Sequence, residues 1–184
     1  FTMNRKSFLA TLGVFPLVKA IGGMNIPFLS AACRTQRDQE GPFYKKGAPE
    51  RSTIESGEEP LTISGSVIQA SDCKTTVPYA VIDIWHCDGE GYYDNRGFKC
   101  RGIVKADAQG RYEFKTIYPP SYGRRPRHIH FKVRAQGFSE LTSQIYFKGD
   151  PNINNDFARN AEAARVIELS RDGLARMGSF DIYI

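Results

Sequence analysis

Histidine is scarce in this chain: there are three in 184 residues and none after His130. A metal centre built on imidazole can draw only on His86, His128 and His130, and an Fe(II) site needing His-x-His with a later histidine is excluded. Acidic residues are missing before Cys33, where Arg5, Lys6 and Lys19 supply three of the five net positive charges and leave +2 for the rest. So small a charge is no signature of a nucleic-acid binder, which clusters Lys and Arg. Apolar runs are short as well: Lys19 interrupts the longest before the roughly 18 residues that a transmembrane helix needs. There is no internal repeat or low-complexity tract, and long helical periodicities are few.

What is present fits one domain. A chain of 184 residues that is 41% hydrophobic can bury a single core, and 17 glycines, 10 prolines and 12% aromatic residues favour short strands joined by turns. From Met3 the order is basic (Asn4-Arg5-Lys6), apolar (residues 8–18), then Ser30-Ala31-Ala32 before Cys33. That is the layout of a secretory signal. The expectation is therefore an export signal over residues 1–33, a folded domain over 34–184, and a location in the periplasm or cell envelope. Arg5-Lys6-Ser7-Phe8-Leu9 resembles a twin-arginine signal. Leu29-Ser30-Ala31-Ala32-Cys33 resembles a lipoprotein cleavage box, which would make Cys33 a lipid anchor. In an oxidising compartment one disulfide among Cys73, Cys87 and Cys100 is then expected, with Cys73–Cys87 favoured and Cys87–Cys100 as the competing pair.

Alternation of apolar and polar residues places strands over 61–68, 80–85, 102–107, 111–117, 128–135, 143–147 and 180–184, with a hairpin turn at Gln109-Gly110. Strands at this spacing predict a mainly β fold, a β-sandwich of mixed or antiparallel strands. The alanine- and charge-rich stretch 155–167, with Asp156 as a cap, predicts one short helix in the C-terminal region. Residues 45–60, charged and rich in turn formers, read as a surface arm.

His128-Ile129-His130 is the pattern with the most chemical content. Successive side chains of a strand alternate faces, so both imidazoles point the same way and make half of a metal site. His86 follows Trp85 and points to the opposite face, which assigns it to structure.

In this setting Gly41-Pro42-Phe43-Tyr44, the run Ile84 to Tyr93, Arg101-Gly102, residues 106–117, Arg125-Pro126-Arg127-His128-Ile129-His130-Phe131 and residues 141–151 resemble, in order, an intradiol ring-cleaving catechol dioxygenase. The resemblance covers residues 40–184. It implies a non-haem ferric ion held by Tyr93, Tyr122, His128 and His130, with Tyr122 and His130 as the axial pair and Tyr122 displaced when substrate binds. It also implies that Arg125 stabilises negative charge on the bound ring and that Gln144 lies on the oxygen and substrate side. Fe(III) is a hard cation suited to phenolate oxygen, which loses its proton in the metal's field, and imidazole suits iron as well. The partners implied are a small aromatic diol and O2, and the product a muconate-type diacid. Arg127, on the approach to the histidines, is expected to narrow or charge the pocket, and Glu90 and Asp94 to add negative charge at its mouth. A second reading stays open: the sandwich pattern also resembles transthyretin-like and carboxypeptidase-regulatory-like modules, which are non-catalytic binding domains that do not need the Tyr, Tyr, His, His set.

Overall fold

The computed structural model describes residues 33–184, in which two five-stranded sheets face each other across one core. The strands are β1 (Pro60–Ile68), β2 (Val81–Trp85), β3 (Arg101–Lys105), β4 (Arg111–Ile117), β5 (His128–Arg134), β6 (Leu141–Phe147), β7 (Val166–Ile167), β8 (Leu169–Asp172), β9 (Ala175–Ser179) and β10 (Ile182–Tyr183). One sheet runs β3-β2-β5-β6-β7, antiparallel except where β7 joins β6. The other gathers around β1, which pairs antiparallel with β4 and parallel with both β9 and β10. The mainly β sandwich read from the sequence is the observed fold.

Periodicity explains the layers. In β4, Tyr112, Phe114 and Thr116 are buried while Arg111, Glu113 and Lys115 face water, the alternation of a sheet wetted on one side. In β5 almost every residue is buried, because one face meets the core through Ile129, Phe131 and Val133 while the other is roofed by the segment 34–44. Even Lys132 is covered there, paired with Glu40 and Glu140 and lying over the Tyr44 ring. Gly65 is required for closure: a Cβ there would lie 2.0 Å from the Phe180 carbonyl, so a side chain would push the last strand off β1.

Three expectations are corrected. Residues 155–167 form no α-helix: they make two short 3-10 turns, Asp156–Asn160 and Ala163–Arg165, and then enter β7. Asn155 is the N-cap position of the first turn, and it makes no side-chain capping bond. Tertiary pairing overrides the alanine propensity, since Val166 and Ile167 pair with Tyr146 and Phe147 and the buried Arg165 side chain is held by Asp38 and Gln36. Residues 45–60 are more than a surface arm. Arg51 N–H donates to the Ile103 carbonyl and Ile54 N–H to the Lys115 carbonyl, which stitches the edges of both sheets, and Ile54 is buried. The disulfide joins Cys33 to Cys73, whereas Cys87 and Cys100 are buried free thiols. Burial raises both thiols, Cys87 to about 11 and Cys100 to about 12, so neither is a thiolate at neutral pH.

Candidate metal centre

Four rings meet at one end of the β2–β5–β6 sheet. Trp85 on β2 lies opposite His130 on β5, and His130 opposite Gln144 on β6, so register alone brings these three side by side. The His128 and His130 ring centroids are 4.8 Å apart. Tyr93 comes from the loop after β2 and Tyr122 from the turn before β5, their rings edge to face at 5.5 Å. Tyr93 is 6.1 Å from His130 by centroid, and its hydroxyl lies 3.2 Å from His128 Nε2.

The hydrogen bonds fix one tautomer. His128 Nδ1 lies 2.7 Å from the Pro126 carbonyl, which can only accept, so Nδ1 carries the proton and the Nε2 lone pair faces the Tyr93 phenol. His130 is 2% exposed, and its Nδ1 is buried with no hydrogen-bond partner among the described residues. Burial holds this imidazole well below its ordinary value, and the charges of His128 and Arg125 push the same way, so it is a neutral base. Burial likewise pushes the Tyr93 phenol far up; the Cys87 thiol adds to this, and Arg125 and Arg101 oppose it.

The walls were not singled out in the sequence. Phe43 stacks on Tyr93 at 4.4 Å and meets Tyr122 edge-on at 5.6 Å, and Trp85 stacks on His130 at 4.9 Å, 9° from coplanar. A residue opposite a His-x-His histidine on a neighbouring strand is the signal that could have found Trp85. Phe43 had a weaker one, its place in the Gly41-Pro42-Phe43-Tyr44 motif. Arg125 and Gln144 are brought together, with Arg125 Nη2 donating to Gln144 Oε1 at 3.3 Å.

Other residues lie elsewhere. His86 is structural, as expected: Nδ1 donates to the Cys87 carbonyl, Nε2 accepts from the Thr116 hydroxyl, both at 2.7 Å, and burial lowers it to about 4. Arg127 does not narrow the ring cluster. It pairs with the buried Asp150 at 3.1 Å, stacks over Tyr118, and lines a groove of about 460 Å³ with Glu55, Glu58, Glu59 and Lys99. The Asp94 carboxylate braces its own loop by accepting from the backbone N–H groups of Arg96, Gly97 and Lys99, which lower it to about 2.

Among the described residues no three of His, Cys, Asp and Glu gather as a metal site. A metal at this cluster therefore has to use phenol oxygen. Two phenols and two imidazoles suit a hard trivalent cation, since a phenol kept protonated by burial can exchange its proton for the ion. The donor set fits ferric iron.

The comparisons agree with the fold. A family model described as "Dioxygenase" matches residues 39–182. A chlorocatechol 1,2-dioxygenase from Pseudomonas sp. is 31% identical over 173 residues, covering 79% of this chain and 68% of that protein. A catechol 1,2-dioxygenase from Acinetobacter baylyi is 32% identical over 166 residues, covering 73% and 53%. The chain thus spans about two thirds of the first and about half of the second. Among solved structures, the dioxygenase domain of a dioxygenase carbohydrate-binding protein fusion from Streptomyces sp. SirexAA-E superposes with a TM-score of 0.76 at 34% identity, covering 82% of this chain and 97% of that one. Fold and site together define an oxygenase built on a β-sandwich. More narrowly, the chain belongs to the intradiol ring-cleaving dioxygenases, the family of the catechol and chlorocatechol 1,2-dioxygenases, and that membership implies a non-haem iron cofactor.

The expected location is corrected at the same point. The relatives are described as catechol and chlorocatechol 1,2-dioxygenases, and none of these is described as an exported or envelope-bound protein. Cys33 cannot carry a lipid thioether while its sulfur is bonded to Cys73. The expected export signal, residues 1–33, lies outside the described residues except for Cys33.

Proposed function

We propose that this chain cleaves a catechol-type ring between its two hydroxylated carbons with O2, giving a muconate-type diacid, at a ferric ion held by Tyr93, Tyr122, His128 and His130. The single observation that carries the reading is the Tyr93 hydroxyl set 3.2 Å from His128 Nε2 while Nδ1 is tied to the Pro126 carbonyl, an imidazole aimed through Nε2 at a buried phenol.

Bound ferric iron would supply the electronic coupling between the diol and O2 that neither has alone. The protein's side chains do the rest. His130 is held neutral by burial and stacked against Trp85, and His128 is fixed by the Pro126 carbonyl. Tyr93 is stacked on Phe43, well buried, and suited to remain in place. Tyr122 is half-buried on a turn, so it is the phenol able to leave and accept a proton from an incoming diol hydroxyl. Arg125 sets a cation beside the cluster where charge builds on the ring, and Gln144 holds that cation from β6. Phe43 and Trp85 close the walls against water.

The test is to load the purified protein with ferric iron, record its visible spectrum, and follow oxygen uptake over catechol, protocatechuate and hydroxyquinol. Red-brown phenolate-to-iron absorption with uptake on at least one diol is expected. A protein that takes up no iron and consumes no oxygen returns the sandwich to the class of binding modules.

A further inference from the structure

We infer that Arg101 is a positioning residue for Tyr93: it fastens the loop that carries this phenol and sets a buried positive charge on the phenol's side of the ring cluster, an inference that rests on the reading of Tyr93 as an iron ligand. The loop leaves β2 after Trp85 and enters β3 at Arg101. These two residues lie directly opposite each other in the sheet, so their side chains share the face that also carries His130. Arg101 Nε donates to the carbonyl of Asp94, the residue after Tyr93, at 3.1 Å. On the other side of Tyr93, the Asp88 carboxylate accepts from the Tyr92 N–H at 3.0 Å. The phenol's backbone is therefore held from both flanks, by an anion on one and a cation on the other.

Fastening uses one of the five guanidinium N–H groups. Arg101 is 1% exposed, and its Nη1 and Nη2 are buried with no hydrogen-bond partner among the described residues. The Trp85 indole on the neighbouring strand cannot serve them, since its Nε1 is itself a buried donor without a partner among those residues. A buried charge with unmet donors is costly, and a neutral side chain of similar shape would fill the space without that cost. The fold gains nothing from the charge, which points to the site beside it.

Burial pulls the guanidinium below its ordinary value without neutralising it, and the charges of Asp94, Tyr93 and Asp83, in that order, work against burial. Beyond burial, the charges acting on His130 are those of His128, Arg125 and His86, so the Arg101 cation lies toward the Tyr93 end of the cluster. A positive charge nearer to a phenolate than to its iron steadies the electron that phenolate-to-iron absorption moves, and the band lies at higher energy while the charge is there.

Two substitutions separate the bond from the charge. In Arg101→Gln the amide Nε2 stands where Nε stood, which keeps the bond to Asp94 and removes the charge. In Arg101→Lys a methylene stands there, which removes that bond and keeps the charge. In iron-loaded protein the visible band of Arg101→Gln should move to longer wavelength by on the order of 10 nm, the effect of a unit charge a few ångströms nearer one end of the iron–phenolate bond at an effective dielectric of about 20, and the band of Arg101→Lys should not move. In iron-free protein the amides of Arg96, Gly97 and Lys99, which the Asp94 carboxylate braces, should exchange about 10-fold faster in Arg101→Lys, the worth of one hydrogen bond, and at the wild-type rate in Arg101→Gln. Arg101→Gln should unfold in denaturant at a midpoint no lower than that of wild type.

A band that stays in place in Arg101→Gln, or moves equally in Arg101→Lys, overturns the inference. So does equal amide exchange in the two variants, and so does an Arg101→Gln midpoint well below wild type, which would make the charge part of the fold. If Arg101→Lys does not fold, the band of Arg101→Gln decides alone. Wild-type protein that binds no iron would sink the ligand reading, and the iron-free exchange rates would still decide whether Arg101 holds the Tyr93 loop.

Discussion

His86 and His128 are both buried, and both donate from Nδ1 to a backbone carbonyl of a near neighbour in the chain. They differ at Nε2. His86 meets the aliphatic hydroxyl of Thr116, a group that keeps its proton, whereas His128 meets the Tyr93 phenol, which can surrender its proton to a cation. Burial and a fixed tautomer therefore do not mark a functional histidine. The acidity of the second partner does.

The widest separation between the two comes from the metal. Replacing His128 and His130 by alanine should abolish ferric iron uptake and colour together, measured by metal analysis and visible absorption. His86→Ala should leave roughly one iron per folded protein. Next in size is the tether of the segment roofing β5, which touches the His130 side and not His86. Cys73→Ser opens a 40-residue span and should cost about 3–4 kcal/mol in denaturant unfolding, with faster amide exchange over residues 34–44 than around Thr116.

His86→Ala itself should cost about 2–3 kcal/mol, since it leaves the buried Thr116 hydroxyl and Cys87 carbonyl short of partners and opens a cavity. Smallest is the effect of pH on iron-free protein. His86 titrates near 4 when folded and near 6.5 when unfolded, so the unfolded chain binds more protons between those values. Stability should fall as pH drops from about 6.5 toward 4, by about 1.4 kcal/mol per pH unit from His86, with His130 adding in the same direction. Melting curves across that range check it, and His86→Ala should flatten the slope.

Seven strands and the two-histidine face were legible because alternation survives wherever a strand has two distinct sides, as in β4, or ends in a polar site, as in β5. The strands β7, β8 and β9 were not. They are two to five residues long, and β7 and β9 pair in parallel with distant strands, so nothing local announces them. Residues 155–167 misled through alanine content, because their fate is set by Arg165 reaching Asp38 more than a hundred residues earlier. The disulfide was misassigned once Cys33 was given to a lipid, which removed it from the pairing. Tyr93, Tyr122, Arg125 and Gln144 were named through family resemblance. Geometry alone would not have found them, since three lie on loops or turns whose approach to β5 no periodicity encodes.

The most direct test is a titration of iron-free wild-type protein and the Tyr93→Phe variant with ferric iron, followed in the visible region. One equivalent bound with an intense phenolate-to-iron band is expected in wild type, and a weakened, shifted band in Tyr93→Phe. Wild-type protein that stays colourless, or a variant whose band is unchanged, would contradict it.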